Sequence, residues 1–456
     1  MIQKPDLKKC IKKTLTVLAM FVIAQMFFVL FLYAGAKVPK DKIEKNMQIS
    51  ADYLCEKIVF FFMIDDVMPS LIDRYADSIT LNIAWNYDED NALTSAMRAD
   101  FLSSRKTNEN DNFKASVTGN PNETNFVTQY IRYWHGSSAL SRIMHVFMSI
   151  KQMYILNAVI IALLAAALLA VLLKNRLYDL SAGLVFGLIT TSVWFVPLSL
   201  EYTWVYIIML IISLIVVFLS VKGKYGICPY VILASGMFVN FFDFLTAETL
   251  TLTVPLLIML RIRRKETAAV TDKNKKGSLP AEVSDALSCT VLWGFGYVGT
   301  WISKWLISSL VLKENVMPYI TEHIAERLGG EVYGDPVTTT GMLFGAIGRN
   351  IANLFPVGYG VTGLMAGIVL LIVLAYIGFV YRKKGYDTKL ILYYVIVGLI
   401  PYVRYLVLHN HSYIHRFFTF RAQMATMMAV ILIICELTGL GIDGNPYISI
   451  KKKKRR

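Results

Sequence analysis

The chain has 456 residues, of which 55% are apolar and only 17% charged, and its mean hydropathy is +0.51. A soluble domain usually carries about a quarter charged residues, so this balance excludes disorder and argues against a soluble enzyme or a nucleic-acid binder. The net charge of +14 points the other way until the positions of the charges are read.

A helix crosses a bilayer with roughly twenty mainly apolar residues, because each backbone polar group must find its partner within the segment. Ten stretches meet that description, at 14–36, 153–173, 181–199, 203–221, 227–244, 246–260, 286–312, 361–381, 388–408 and 418–438. The one at 246–260 is short, and the one at 286–312 contains Lys304. The first reads as a retained span: its apolar run is long and no small-residue cleavage site follows at Gly35-Ala36-Lys37. The expected fold class is therefore an all-α polytopic membrane protein of about ten transmembrane helices, with a large first extracytoplasmic loop carrying interfacial helices.

Lysine and arginine in the short loops set the orientation. The tail 1–13, the loops near 174–176, 222–224, 261–285 and 382–389, and the C-terminal tail 439–456 hold 26 of the 46 basic residues, and all lie on one side of a ten-span chain. The first loop, 37–152, holds 15 acidic and 13 basic residues on the other side. Both termini read as cytoplasmic in a multi-pass plasma-membrane protein. The terminal run from Lys451 to Arg456 reads as an anchor on anionic lipid rather than a nucleic-acid patch. Of five cysteines, only Cys55 faces outward, so no disulfide framework is expected.

Within the first loop, 41–72 reads as a helix whose apolar half, Ile58-Val-Phe-Phe-Phe-Met-Ile64, lies along the outer membrane surface. The stretch 71–84 follows. Residues 86–128 read as loop, with a glycosylation-type triplet at Asn122-Glu-Thr124, and 138–152 is an amphipathic lead into the second span. The second outer segment, 313–360, reads as a polar helix near 316–328, a turn at Gly329-Gly330 and an amphipathic stretch over 341–350.

Ionisable groups at the membrane edge are functional candidates because each is costly unless paired or wetted. The outward set is Asp73 and Asp77; Glu201 and Tyr202; Asp243 and Glu248; and Arg404, His409, His411, His415, Arg416 and Arg421. The i, i+4 spacing of Asp73 and Asp77 places both on one helix face, where mutual repulsion raises one pKa into the range of a general base. The alternatives for Asp73 are an ion pair with Arg74 or a helix cap. His411 and His415 share a helix face, but no third zinc ligand is evident, so the set specifies neither a metal nor a cofactor. Arg416 and Arg421, with these histidines, offer donors to a phosphate at the outer leaflet.

The layout, with Asp73-Arg-Tyr-Ala-Asp77, Phe242-Asp-Phe-Leu-Thr246 and Asn410-His-Ser-Tyr-Ile-His-Arg-Phe-Phe-Thr-Phe-Arg421, resembles the polytopic C-type (GT-C) glycosyltransferases, in particular bacterial members that modify cell-surface polysaccharide. The resemblance implies transfer of a sugar from a polyprenyl-phosphate donor to a glycan or lipid-linked acceptor outside the cytoplasm, with Asp73 or Asp77 as base. It further implies Arg416 or Arg421, with His411 and His415, at the donor phosphate, and Glu201, Tyr202, Asp243, Glu248 and Arg404 at the substrates. Membrane lipids are the other expected partner and nucleic acid is not. The acidic pair departs from the family layout by lying about forty residues beyond the first span, so both aspartates stay open as base. Two other classes are compatible: a polysaccharide polymerase or ligase, and a lipid-linked glycan flippase.

Overall fold

The computed structural model describes residues 7–270, 280–328, 331–332, 335–357 and 360–440. The basic runs near 273–276 and 451–456, and the turn at Gly329-Gly330, lie outside the described residues. The chain is 77% helical, and seven helices are long and apolar enough to cross a membrane. It is an all-α multi-pass membrane protein.

Ten helices coincide with the stretches expected to span: α1 (Leu7–Ala36), α7 (Ile150–Lys174), α8 (Tyr178–Thr190), α9 (Leu200–Val221), α10 (Cys228–Phe242), α11 (Leu250–Val270), α12 (Ala281–Leu312), α15 (Gly360–Val380), α16 (Thr388–Val407) and α19 (Met424–Thr438). Three of the ten stretches expected to span depart from that picture. Residues 181–199 break into the short helix α8 and a 3-10 turn, Val193–Leu198, separated by Ser192 at φ +52°. Residues 246–260 begin as a turn, and the helix they enter runs on to Val270. Residues 286–312 sit in a 32-residue helix, α12, that is diluted by glycines, serines and Lys304. Neither α11 nor α12 contains a window as apolar as the other spans.

The bundle packs closely where side chains are small. A Cβ on Gly236 would stand 2.5 Å from the Trp293 carbonyl, and one on Gly296 would stand 2.6 Å from that of Leu233. These two glycines let α10 and α12 touch backbone to backbone, as small residues do at membrane helix crossings.

The segment between α1 and α7 folds as a unit on one end of the bundle. Its helices are α2 (Lys40–Cys55), α3 (Arg74–Asn86), α4 (Ala92–Arg98), α5 (Glu109–Thr118) and α6 (Gly136–His145). Ile43, Met47, Leu54, Leu81, Trp85 and Phe113 form its own apolar core. Two expectations fail here. Residues 41–72 are not one helix: α2 stops at Cys55, and the apolar run forms β1 (Phe60–Phe62), paired antiparallel with β2 (Leu71–Asp73). Three consecutive phenylalanines favour a pleated ribbon over a helix once they can pair. Residues 86–128 are not a loop either. They hold α4, α5 and the ribbon of β3 (Phe101–Ser104) with β4 (Asn125–Thr128), because Asn108 caps α5 and Gly119 ends it at φ +68°. In the second outer segment, α13 (Met317–Leu328) and α14 (Thr339–Ile351) form where expected, with a two-residue ribbon, Glu331–Val332 against Asp335–Pro336, between them.

At the opposite end of the bundle, several basic residues are fixed in ion pairs. Arg261 binds Asp179, Arg264 binds Glu282 and Asp387 at 2.7 Å each, and Lys265 binds Glu436 at 2.8 Å. These pairs lace α8, α11, α12, α16 and α19 together, so this part of the basic loop holds the bundle and is more than a lipid anchor.

Arg142 is the centre of the outer unit. It is fully buried and donates to the carbonyls of Val38, Ala84, Trp85 and Tyr87 and to Glu89 Oε1. Arg142→Ala strands these acceptors and is expected to cost about 3–5 kcal/mol. Limited proteolysis of membranes should then cut within 37–149 while the helices of the bundle stay protected. An unchanged digestion pattern would refute the assignment.

Candidate functional site

Where the outer unit meets the bundle, four carboxyl groups are buried together. Asp73 ends β2 and caps α3, its Oδ1 accepting from Ala76 N at 2.9 Å. The two aspartates therefore do not sit on one helix face, since Asp73 precedes the helix. Nor does Asp73 pair with Arg74, which donates to the carbonyls of Tyr53 and Leu54. Burial holds Asp73 well above the usual carboxylate range, against hydrogen bonds from Ala76, Glu201 and Tyr75. The bond between Asp73 and Glu201 requires a proton on the pair. Glu201, in the first turn of α9, lies within electrostatic reach of Asp73, Asp243 and Asp77, and its Oε2 is buried without a hydrogen-bond partner.

Asp77 is fully committed. Its Oδ1 accepts from Leu200 N at 2.9 Å and Ser199 Oγ at 3.2 Å, and its Oδ2 accepts from the Tyr154 hydroxyl. It thereby caps α9 and ties α3 to α7. Burial pushes its pKa up to about 7, although the Tyr154 hydrogen bond opposes that. Asp243 closes the turn after α10, its Oδ1 accepting from Thr246 Oγ1 at 2.5 Å and its Oδ2 from Thr246 N at 3.0 Å. Two residues on, Leu245 is held at φ +69°, a strained conformation for a branched side chain.

The cations divide into two kinds. Arg404 and Glu248, both expected at the substrates, form an ion pair with each other. Arg404 Nε meets Glu248 Oε1 at 2.9 Å, Nη2 meets Oε2 at 3.2 Å, and the remaining donors reach the Leu245 carbonyl and Ser412 Oγ. This pair fixes the 243–250 turn. Arg421 differs: it is 1% exposed and donates to the carbonyls of Phe417 and Pro69, its guanidinium lies 4.6 Å from the Tyr202 ring, and its Nε is buried without a partner. Among the described residues no carboxylate lies within 4.0 Å of it. A buried guanidinium with an open donor suits an anion.

Two of the other basic candidates connect to Tyr202 through a chain of rings. His411 and His415 lie 4.7 Å apart, His415 stacks on Phe418 at 5.2 Å, and Phe418 packs on Tyr202 at 5.7 Å. His411 lies on the short helix α17 (His409–Ile414), and the half-buried Arg416 opens the next, α18 (Arg416–Thr419), its carbonyl accepting from Asn353. Among the described residues, no three His, Cys, Asp or Glu side chains come together as a metal's ligands would.

Sequence reasoning missed Tyr154, which anchors Asp77, and His135, which is 1% exposed at φ +59°. The dense run of aromatic and basic residues from Tyr130 to His135 was the available signal.

These features define a multi-pass α-helical membrane protein with a buried acidic cluster and an unpaired arginine where its outer unit docks. Compared with protein-family models, curated proteins and solved structures, the chain matches none.

Asp77→Ala leaves Leu200 N, Ser199 Oγ and the Tyr154 hydroxyl without an acceptor, which should cost about 3 kcal/mol or more and lower the melting temperature of the purified protein clearly. Wild-type stability should also fall as pH rises from about 4 through about 7, because Asp77 with its raised pKa holds a proton in the folded state that the unfolded chain has released. A melting temperature independent of pH across that window would refute the Asp77 environment described here.

Proposed function

We propose that this protein is a membrane glycosyltransferase that moves a sugar from a polyprenyl-phosphate donor to a hydroxyl of a cell-surface glycan or lipid-linked acceptor. In this reading the ten helices of the bundle all cross the membrane, both termini are cytoplasmic, and the acidic cluster faces the extracytoplasmic side. The excess of lysine and arginine at the opposite end supports that orientation.

The observation that carries the proposal is the pairing of a proton-binding buried carboxyl, Asp73, with an unpaired buried guanidinium, Arg421, joined through Pro69 in the chain segment that leads into Asp73. Asp73 takes the proton of the acceptor hydroxyl as its oxygen bonds to the anomeric carbon of the sugar. The bond from that carbon to the phosphate oxygen breaks, and polyprenyl phosphate leaves with the electron pair. Arg421 meets the charge that develops on the leaving phosphate. Glu201 accompanies Asp73 as its proton partner. Asp77, whose oxygens are already occupied, holds the assembly in place, and Arg404 with Glu248 shapes the 243–250 turn.

Membranes containing Asp73→Asn should retain normal protein levels and lose transfer from radiolabelled polyprenyl-phosphate sugars by about 10²–10⁴-fold. The wild-type rate should fall as pH drops, with its midpoint displaced above the ordinary aspartate value of about 3.9, since the base works only when deprotonated and burial raises its pKa. Full activity of Asp73→Asn would refute the role of Asp73.

A further inference from the structure

Beside the acidic cluster lies a second group of side chains with no assigned role. Gly136, which opens α6, abuts Phe241, so the chain from Tyr130 to His135 is pressed against the turn that carries Asp243 and Phe244. The His135 ring lies 5.0 Å from Tyr130 and 5.4 Å from Phe244, and Tyr133 lies 5.5 Å from Phe244 and 6.2 Å from Trp301. Tyr130, Phe244 and Trp301, grouped about the buried histidine, are only half-buried.

His135 is unusual in three ways. Its backbone is held in the left-handed region, which a non-glycine residue adopts at a cost. Its Nε2 lies 2.7 Å from the Tyr130 carbonyl, which has no proton to give, so that nitrogen must donate. The other nitrogen, Nδ1, is then a bare lone pair, and it is buried without a partner. Burial holds the ring neutral, at about 3, and Lys304 and Arg132 nearby reinforce this. Those two cations also make the place hostile to a cationic ligand. At the edge, the Arg132 guanidinium lies 4.3 Å from the Tyr130 ring, with its Nε buried and unpartnered.

A neutral lone pair demands a donor hydrogen, and an open guanidinium N–H demands an acceptor. A hydroxyl supplies both, and flat aromatic faces take the C–H face of a ring that carries such hydroxyls. We propose that Tyr130, Arg132, Tyr133, His135, Phe244 and Trp301 form a binding site for a neutral pyranose, the ring that bears the acceptor hydroxyl. His135 Nδ1 accepts from one hydroxyl, Arg132 Nε donates to another oxygen, and the faces of Tyr130, Phe244 and Trp301 stack on the ring. The role as acceptor rests on the transferase reading, whereas the binding of the sugar does not.

The test uses the purified full chain and the methyl glycosides of glucose, galactose, mannose, rhamnose and N-acetylglucosamine, with no lipid donor present, observed by saturation-transfer NMR. At least one glycoside should receive saturation at its ring protons. His135→Gly keeps the left-handed backbone and removes the acceptor, so it should weaken that glycoside by about tenfold, as should Trp301→Leu. His135→Asn tolerates the same backbone and restores an acceptor oxygen, and should recover much of the signal. If no glycoside binds the wild type, or if binding is indifferent to His135→Gly and Trp301→Leu, the site is refuted. If binding behaves as stated and no sugar transfer is found in membranes, the site stands and the transferase reading falls.

Discussion

The hydrogen bonds to Asp77 are the point on which the site depends. Three donors from two places in the chain, Tyr154 on α7 and the adjacent Ser199 and Leu200 at the start of α9, converge on one buried carboxyl in the unit between α1 and α7. The first residues of a helix carry N–H groups with no partner inside it, so a helix end buried in protein needs an acceptor from outside. Asp77 provides it for α9. The residue after Leu200, Glu201, is thereby set beside Asp73, because the same contact that caps α9 fixes the distance between α3 and its first turn.

The two ends of the bundle handle buried charge in opposite ways. At the end bearing the basic loops, Arg261, Arg264 and Lys265 each meet a carboxylate, and the net result is a lattice of matched pairs. At the other end, beside the acidic cluster, Arg404 is matched through Glu248. Asp73, Asp77, Glu201 and Asp243 are all buried, and two further buried arginines, Arg74 and Arg421, are held by carbonyls and ring faces. Buried charges are normally paired, so a set left unmatched is held there by the rest of the fold and is available to a ligand.

What the sequence reveals follows from which forces are local. Membrane-length apolar runs are local, so most of the bundle's helices are legible, as is the presence of a folded unit between α1 and α7. The breaks in that reading come where pairing partners lie far away. Phe60 to Phe62 is helix-like or strand-like until Leu71 to Asp73 arrives to pair with it. The site residues were legible as a set, because membrane-edge charges are costly wherever they occur. Their division of labour was not. Nothing in the local pattern tells that Arg404 is consumed by Glu248, 156 residues earlier, or that Asp77 is saturated while Asp73 is not.

The charge imbalance also links the two halves of the proposed chemistry. Four carboxyls in one buried cluster cannot all be ionised, and Arg421 lies within electrostatic reach of one of them, Glu201. A phosphate bound to Arg421 adds negative charge beside the cluster. That charge raises the proton affinity of Asp73, so the carboxylate becomes a stronger base when the donor is present. The same arrival shields the cluster from water, which strengthens every remaining electrostatic contact. In the transferase reading, base strength is thus set by donor occupancy, and an acceptor hydroxyl held against the aromatic side of the cluster loses its proton only when the leaving group is in place.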